Sequence, residues 1–184
     1  ILTKFTELAP MIVTLATNII FRGLSERILG DGSTGGMTKV EWFMDLYNGN
    51  LFGIMPYPII IFAVLAVIFG LVMHKTVFGR QMFAIGANKK AAAYAGIKVE
   101  KVRMIVFTLT GLMCGFAGVL YASKLGSIKS DVGAGFELEA ISMCVLGGIS
   151  TAGGKGTMVG AVISIFIIGL LRYGLGLINL SGQT

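Results

Sequence analysis

Two uncharged apolar runs, residues 54–73 and 104–123, constrain this chain more than any other feature. Each matches the ~20 residues that a helix needs to cross a bilayer. Hydrocarbon offers no partner for an unpaired backbone N–H or C=O, so such runs cross it as helices. The segment between them, 74–103, has the opposite character. It carries Lys75, Arg80, Lys89, Lys90, Lys98, Lys101 and Arg103 against Glu100 alone. Its balance equals the net charge of the whole chain, +6. A cationic loop between two spans is expected on the cytoplasmic side.

Within that loop, Asn88 is placed to cap a short helix over 89–95, and Gly96 to end it in a left-handed turn. The helix would show Ala91, Ala92, Ala93 and Ala95 around one large ring, Tyr94. Lys89 and Lys90 would sit at its positive end, where cations do not help a helix. They are better explained by lipid head groups or a partner.

The composition excludes several classes. Charged residues are 13% of the chain, about half the ~25% of a soluble domain. Glycine is 27 of 184 residues, which suits close helix packing in a membrane. The positive charge lies in one inter-helix loop and not on an aromatic-interleaved face, so nucleic acid is not the expected partner. No paired catalytic carboxylates, Ser/His/Asp set or Cys/His cluster is visible. His74 is the single histidine and ends an apolar run. Cys114 and Cys144 lie in apolar stretches, where a thiol is a small packing group.

Taken in order, the first apolar stretch, 8–21, is too short for a full span and reads as part of a helix. The chain begins at Ile1 and ends just after an apolar run, which reads as a fragment of a longer membrane protein. Residues 22–53 are polar, with four acidic and three basic side chains, and are expected to form an extracytoplasmic loop. Trp42, Phe43 and Tyr47 would form the small core of a surface helix there, or float at the interface. Pro56 and Pro58 fall at the outer end of the next span, where a helix tolerates missing donors. Gly111 and Gly115, with Gly118 nearby, give the span 104–123 a small-residue face for another helix. Gly160, spaced four from Gly156, repeats the pattern in the last run, 157–171. No charge interrupts the three long runs.

The stretch 140–146 is cut by Gly147 and Gly148. About ten residues of helix rise only about 15 Å, half a hydrocarbon core. The loop that follows, with Ser150, Thr151, Gly153, Gly154 and Gly156, is either a re-entrant segment lining a solute path or a cytoplasmic turn. Lys155 leans toward the turn, because an unpaired Lys in mid-membrane is costly. The loop is not a phosphate loop: Ile149 stands where the first Gly is required, and Gly156 follows the Lys. The fold class is therefore all-α, a polytopic transmembrane helical bundle with a broken or re-entrant Gly-rich segment.

Four segments resemble one family in order and spacing: MIVTLATNIIFRGL from Met11, FGRQMFAIGANKKAAAYAGI from Phe78, GLMCGFAGVLYAS from Gly111 and VLGGISTAGGKGTMVGAVI from Val145. They are similar to the permease subunits of sugar ABC importers, the ribose, xylose, galactose and autoinducer-2 group. The resemblance implies a single permease domain over 1–184, lacking the earlier helices and the last one. It implies a helix at Asn88–Gly96 that couples to a separate ABC ATPase subunit. The acidic residue usual in the broader coupling motif is absent, and Lys89 and Lys90 precede the alanines. It implies an extracytoplasmic solute-binding protein, a second or sister permease, and the inner membrane of a bacterium. No cofactor is expected in this chain, since ATP and magnesium would be held by the ATPase, and the permease itself makes and breaks no bond. Rival readings are a branched-chain amino-acid permease, an ATPase-independent secondary transporter, and a purely structural membrane protein.

Overall fold

A computed structural model of the chain describes residues 10–30, 32–34, 40–51, 55–129 and 132–178. Eight helices are present among them: α1 Pro10–Leu29, α2 Glu41–Asn48, α3 Tyr57–Lys75, α4 Val77–Ala87, α5 Lys89–Tyr94, α6 Val99–Leu125, α7 Phe136–Leu146 and α8 Met158–Leu177. Two dipeptide strands, β1 Asn50–Leu51 and β2 Met55–Pro56, pair antiparallel as a small ribbon before α3. The architecture is all-α.

Three helices, α3, α6 and α8, are long and apolar enough to cross a membrane, with mean hydropathies of 2.4, 1.9 and 2.0. Almost none of their residues is fully buried within the chain. The whole chain exposes 13739 Å², whereas a soluble monomer of its mass would expose about 8,500 Å². Apolar helices this bare are stable only against lipid or other helices.

Two polar ends cap the spans. At one, α2 lies against the end of α6 and the start of α3. Ser123 Oγ donates to Phe43 O at 2.5 Å, and Lys124 Nζ stands 5.5 Å from the centre of the Tyr47 ring. Phe43 and Tyr47 are half-buried and form the expected small core, but Trp42 stands 73% exposed. Thr34 N donates to Ile128 O at 2.9 Å and Ile128 N donates to the Thr34 hydroxyl at 3.1 Å, which ties the chain after α1 to the loop after α6. At the other end lie α4, α5 and the Gly-rich turn. This end carries eight basic side chains, including Lys155, against Glu100; the first end is balanced or acidic.

Several boundaries differ from the sequence reading: the basic loop 74–103 is mostly helical, because α4 occupies Val77–Ala87 and α6 already begins at Val99. The polar stretch 22–53 is not loop from its start, because α1 runs on through Arg22, Glu26 and Arg27 to Leu29. Gly23 is tolerated inside the helix, and Gly30, with φ of +58°, ends it. The last span does not stop at Leu171 either. It continues past Arg172 to Leu177, just as α3 takes in Lys75 and α6 takes in Glu100, Lys101, Arg103 and Lys124 at their ends.

Candidate functional site

The basic end is built by local chemistry first. Thr76 turns the chain from α3 into α4, donating its hydroxyl to Val72 O at 2.6 Å and accepting from Gly79 N at 3.3 Å. Gly79 is required there, because a Cβ would run into the Met73 carbonyl. Asn88 ends α4 and caps α5, accepting from Ala91 N through Oδ1 at 3.0 Å. Gly96, at φ +82°, closes α5 with paired bonds: Ile97 N to Ala92 O at 3.1 Å and Gly96 N to Ala93 O at 3.0 Å. This is a Schellman closure, which satisfies carbonyls that a six-residue helix would otherwise leave open. The helical residues are Lys89–Tyr94, with Ala95 as the C-cap.

α5 is thus a short helix fixed at both ends and displayed outward. Lys89, Lys90, Ala91, Ala93 and Ala95 are exposed, and Tyr94 is 92% exposed. Ala92 is the exception. It is 4% exposed and turned into the chain, so it supports α5 and does not belong to its outer face. Lys89 Nζ lies 3.7 Å from Glu100 Oε1 in an exposed pair, a contact worth little in water. An open groove of about 670 Å³ runs between α5 and the start of α6, flanked by Lys89, Lys90, Lys98 and Lys101.

The Gly-rich turn lies at this same end. Met158, the first residue of α8, packs near Gly70, one turn before the end of α3. The turn closes on itself through Ser150 N to Lys155 O and Gly153 N to Ser150 O, each 3.0 Å. Gly153 and Gly154, both with positive φ, touch Gly86 and Ala87 backbone to backbone. A Cβ at Gly154 would lie 2.7 Å from Ala87 N, and one at Gly86 would collide with Gly154 N. Thr151 is exposed, Gly148 is open on its Cβ side, and Gly156 sits against Ile149. α4, which leads into α5, is therefore in direct backbone contact with the turn that joins α7 to α8.

α7 and α8 form a hairpin held at three levels. Near the turn, Gly147 and Gly160 meet backbone to backbone. In the middle, Ser164, 1% exposed, donates to Met143 O at 2.6 Å. Toward the far end, Arg172 Nη1 lies 2.7 Å from both carboxylate oxygens of Glu139. Sequence reasoning missed this last pair. A charge inside an apolar run was the available signal, but nothing local links positions 139 and 172.

The small-residue face of α6 behaves differently. A Cβ at Gly111, Gly115 or Gly118 would meet nothing within 4 Å. No group of three or more His, Cys, Asp or Glu that could hold a metal is present among the described residues.

Comparisons agree with this architecture. The chain is 41% identical over 95% of its length to the ribose import permease protein RbsC of Bacillus subtilis, covering 54% of that protein. It is 42% identical, again over 95%, to the L-arabinose transport system permease protein AraH of Escherichia coli, covering 52% of it. It is 34% identical over 99% to the autoinducer 2 import system permease protein LsrD of Yersinia enterocolitica, covering 56%. The chain thus spans about half the length of the curated relatives it matches. No solved structure matches. A family match takes in residues 1–182, and with three bilayer-length helices the chain is a multi-pass membrane protein belonging to the family described as branched-chain amino acid transport system / permease component.

Proposed function

We propose that this chain is part of the membrane-spanning permease subunit of an ATP-driven importer for a monosaccharide or a similar small polar solute, set in the inner membrane of a bacterium. The relatives' names favour a sugar over a branched-chain amino acid, although the family description carries the latter. The observation that carries the mechanism is α5: a short helix capped at both ends, exposed at the basic end, and joined through α4 to the Gly-rich turn.

In this reading the basic end faces the cytoplasm, as its lysines and arginines require. The exposed face of α5 docks in a cleft of a separate ATPase, which holds ATP and magnesium. Small side chains let a cleft close around it, and Tyr94 supplies the anchor. ATP-driven closure of paired ATPase subunits pushes α5 and α4, and the contact of Gly86 with Gly153 and Gly154 passes the push to the α7–α8 hairpin. Gly147–Gly156 acts as a cytoplasmic turn in this scheme, not as a re-entrant loop. A solute-binding protein delivers sugar at the opposite end, beside α2 and the loop after α6. Two permease copies, or a copy and a sister chain, enclose the path.

Ala92 is a poor probe of docking, since Arg there would disrupt α5 itself. The test uses Tyr94→Asp in the full-length permease, co-purified in detergent with the ATPase encoded beside it. The expected result is that wild type retains the ATPase and the variant, equally well inserted, loses it. Retention by both overturns the docking role of α5. Loss by both favours a secondary transporter, a reading to which Arg172 within a span lends an ionisable residue.

A further inference from the structure

The pair at the far end of the α7–α8 hairpin does more than join two helices. Glu139 and Arg172 line an open cavity of about 460 Å³, together with Phe136, Ile168, Leu171 and Leu175. Arg172 uses one nitrogen, Nη1, for both carboxylate oxygens. A fork-to-fork pairing would have engaged two. Three N–H groups, on Nε and Nη2, have no acceptor among the described residues. The Arg172 side chain remains 66% exposed, against 24% for Glu139. Arg172 lies five residues before the last residue of α8 and pairs with Glu139 in the first turn of α7, so its spare donors are within reach of the polar end of the bundle. Phe136 adds an apolar wall, held edge-on to Tyr121 at 5.4 Å between ring centres.

Building on the importer reading, we propose that Glu139, Arg172 and Phe136 form a contact site for a neutral polyhydroxylated solute at the acidic end of the permease. The chemistry fits that class. The free guanidinium N–H groups donate to hydroxyl oxygens, the carboxylate accepts from hydroxyl protons, and Phe136 covers an apolar C–H face. Their charges cancel within the pair, so the site favours neither cations nor anions. A pin between helices would need the charges only; a solute site needs the planar fork and its spare donors.

The experiment uses full-length permease with its ATPase and binding protein in proteoliposomes, with Cys114 and Cys144 changed to Ser and Leu175→Cys placed on the cavity wall. Maleimide labelling of that thiol is followed with and without a panel of pentoses and hexoses, beside ATP-driven uptake of the same sugars. The expected result is that an imported sugar slows labelling. Arg172→Lys should weaken that protection at least about tenfold, the factor that one hydrogen bond to a charged group is worth, with the melting temperature held. The swap of Glu139→Arg with Arg172→Glu should likewise hold the melting temperature while losing the protection. Uptake with no protection by any sugar overturns the site and leaves the importer reading standing, as does full protection in Arg172→Lys or in the swap. Uptake of none of the sugars overturns the sugar-importer reading and this site with it.

Discussion

Two sets of glycines in this molecule share a residue type but not a situation. Gly147 and Gly160 meet backbone to backbone, and Gly86 meets Gly153 and Gly154 in the same way. Gly111, Gly115 and Gly118 on α6 meet nothing within 4 Å. Glycine lets two backbones approach wherever a partner exists. The first set spends that property inside the chain, on the hairpin and its joint to α4. The second leaves it unspent on a bare face of a span. In the importer reading that face awaits a helix from outside these residues.

Substitutions separate the two sets of glycines. The largest effect belongs to Gly160→Val, whose Cβ would strike the Gly147 carbonyl. A loss of about 3 kcal/mol or more is expected, read as a collapsed melt or lost monodispersity in detergent. Next comes Gly154→Ala, strained at φ +75° and crowded by Ala87 N. About 2 kcal/mol is expected from the melting shift. Asn88→Ala removes the α5 cap from the neighbouring joint and should cost about 1 kcal/mol, seen as faster amide exchange at Ala91. Gly115→Ala should shift the melt by no more than about 0.5 kcal/mol. Its effect should appear instead as weaker disulfide trapping to a neighbouring helix in the assembled complex. If Gly115→Ala proves as damaging to the melt as Gly160→Val, the division between the two sets fails.

Much of the fold is legible because its causes are local. The runs 54–73 and 104–123 announce α3 and α6 by length and lack of charge. Asn88 and Gly96 announce the bounds of α5, since a cap is a contract between residues three to five apart. The ends of α1 and α8 are less legible. Arg22 and Arg172 look like stops, but a charge ends an apolar run and not the helix, which ends at a breaker such as Gly30. The outer face of α5 is half legible: its alanines are visible in the sequence, yet which one turns inward is not.

Local pattern alone marked the three bilayer-length helices and the capped helix α5, and showed that basic and acidic side chains segregate along the chain; it did not mark α4, which lies in a stretch that reads as loop. Hydropathy, capping and charge balance act over a few residues, so they need no knowledge of the rest. Only the tertiary structure decided that Ala92 faces inward, that Gly86 bears on Gly154, that the Gly-rich turn lies at the basic end, and that Glu139 pairs with Arg172. Apart from Ala92, each joins residues tens of positions apart. Such meetings depend on how helices cross, which no local pattern encodes.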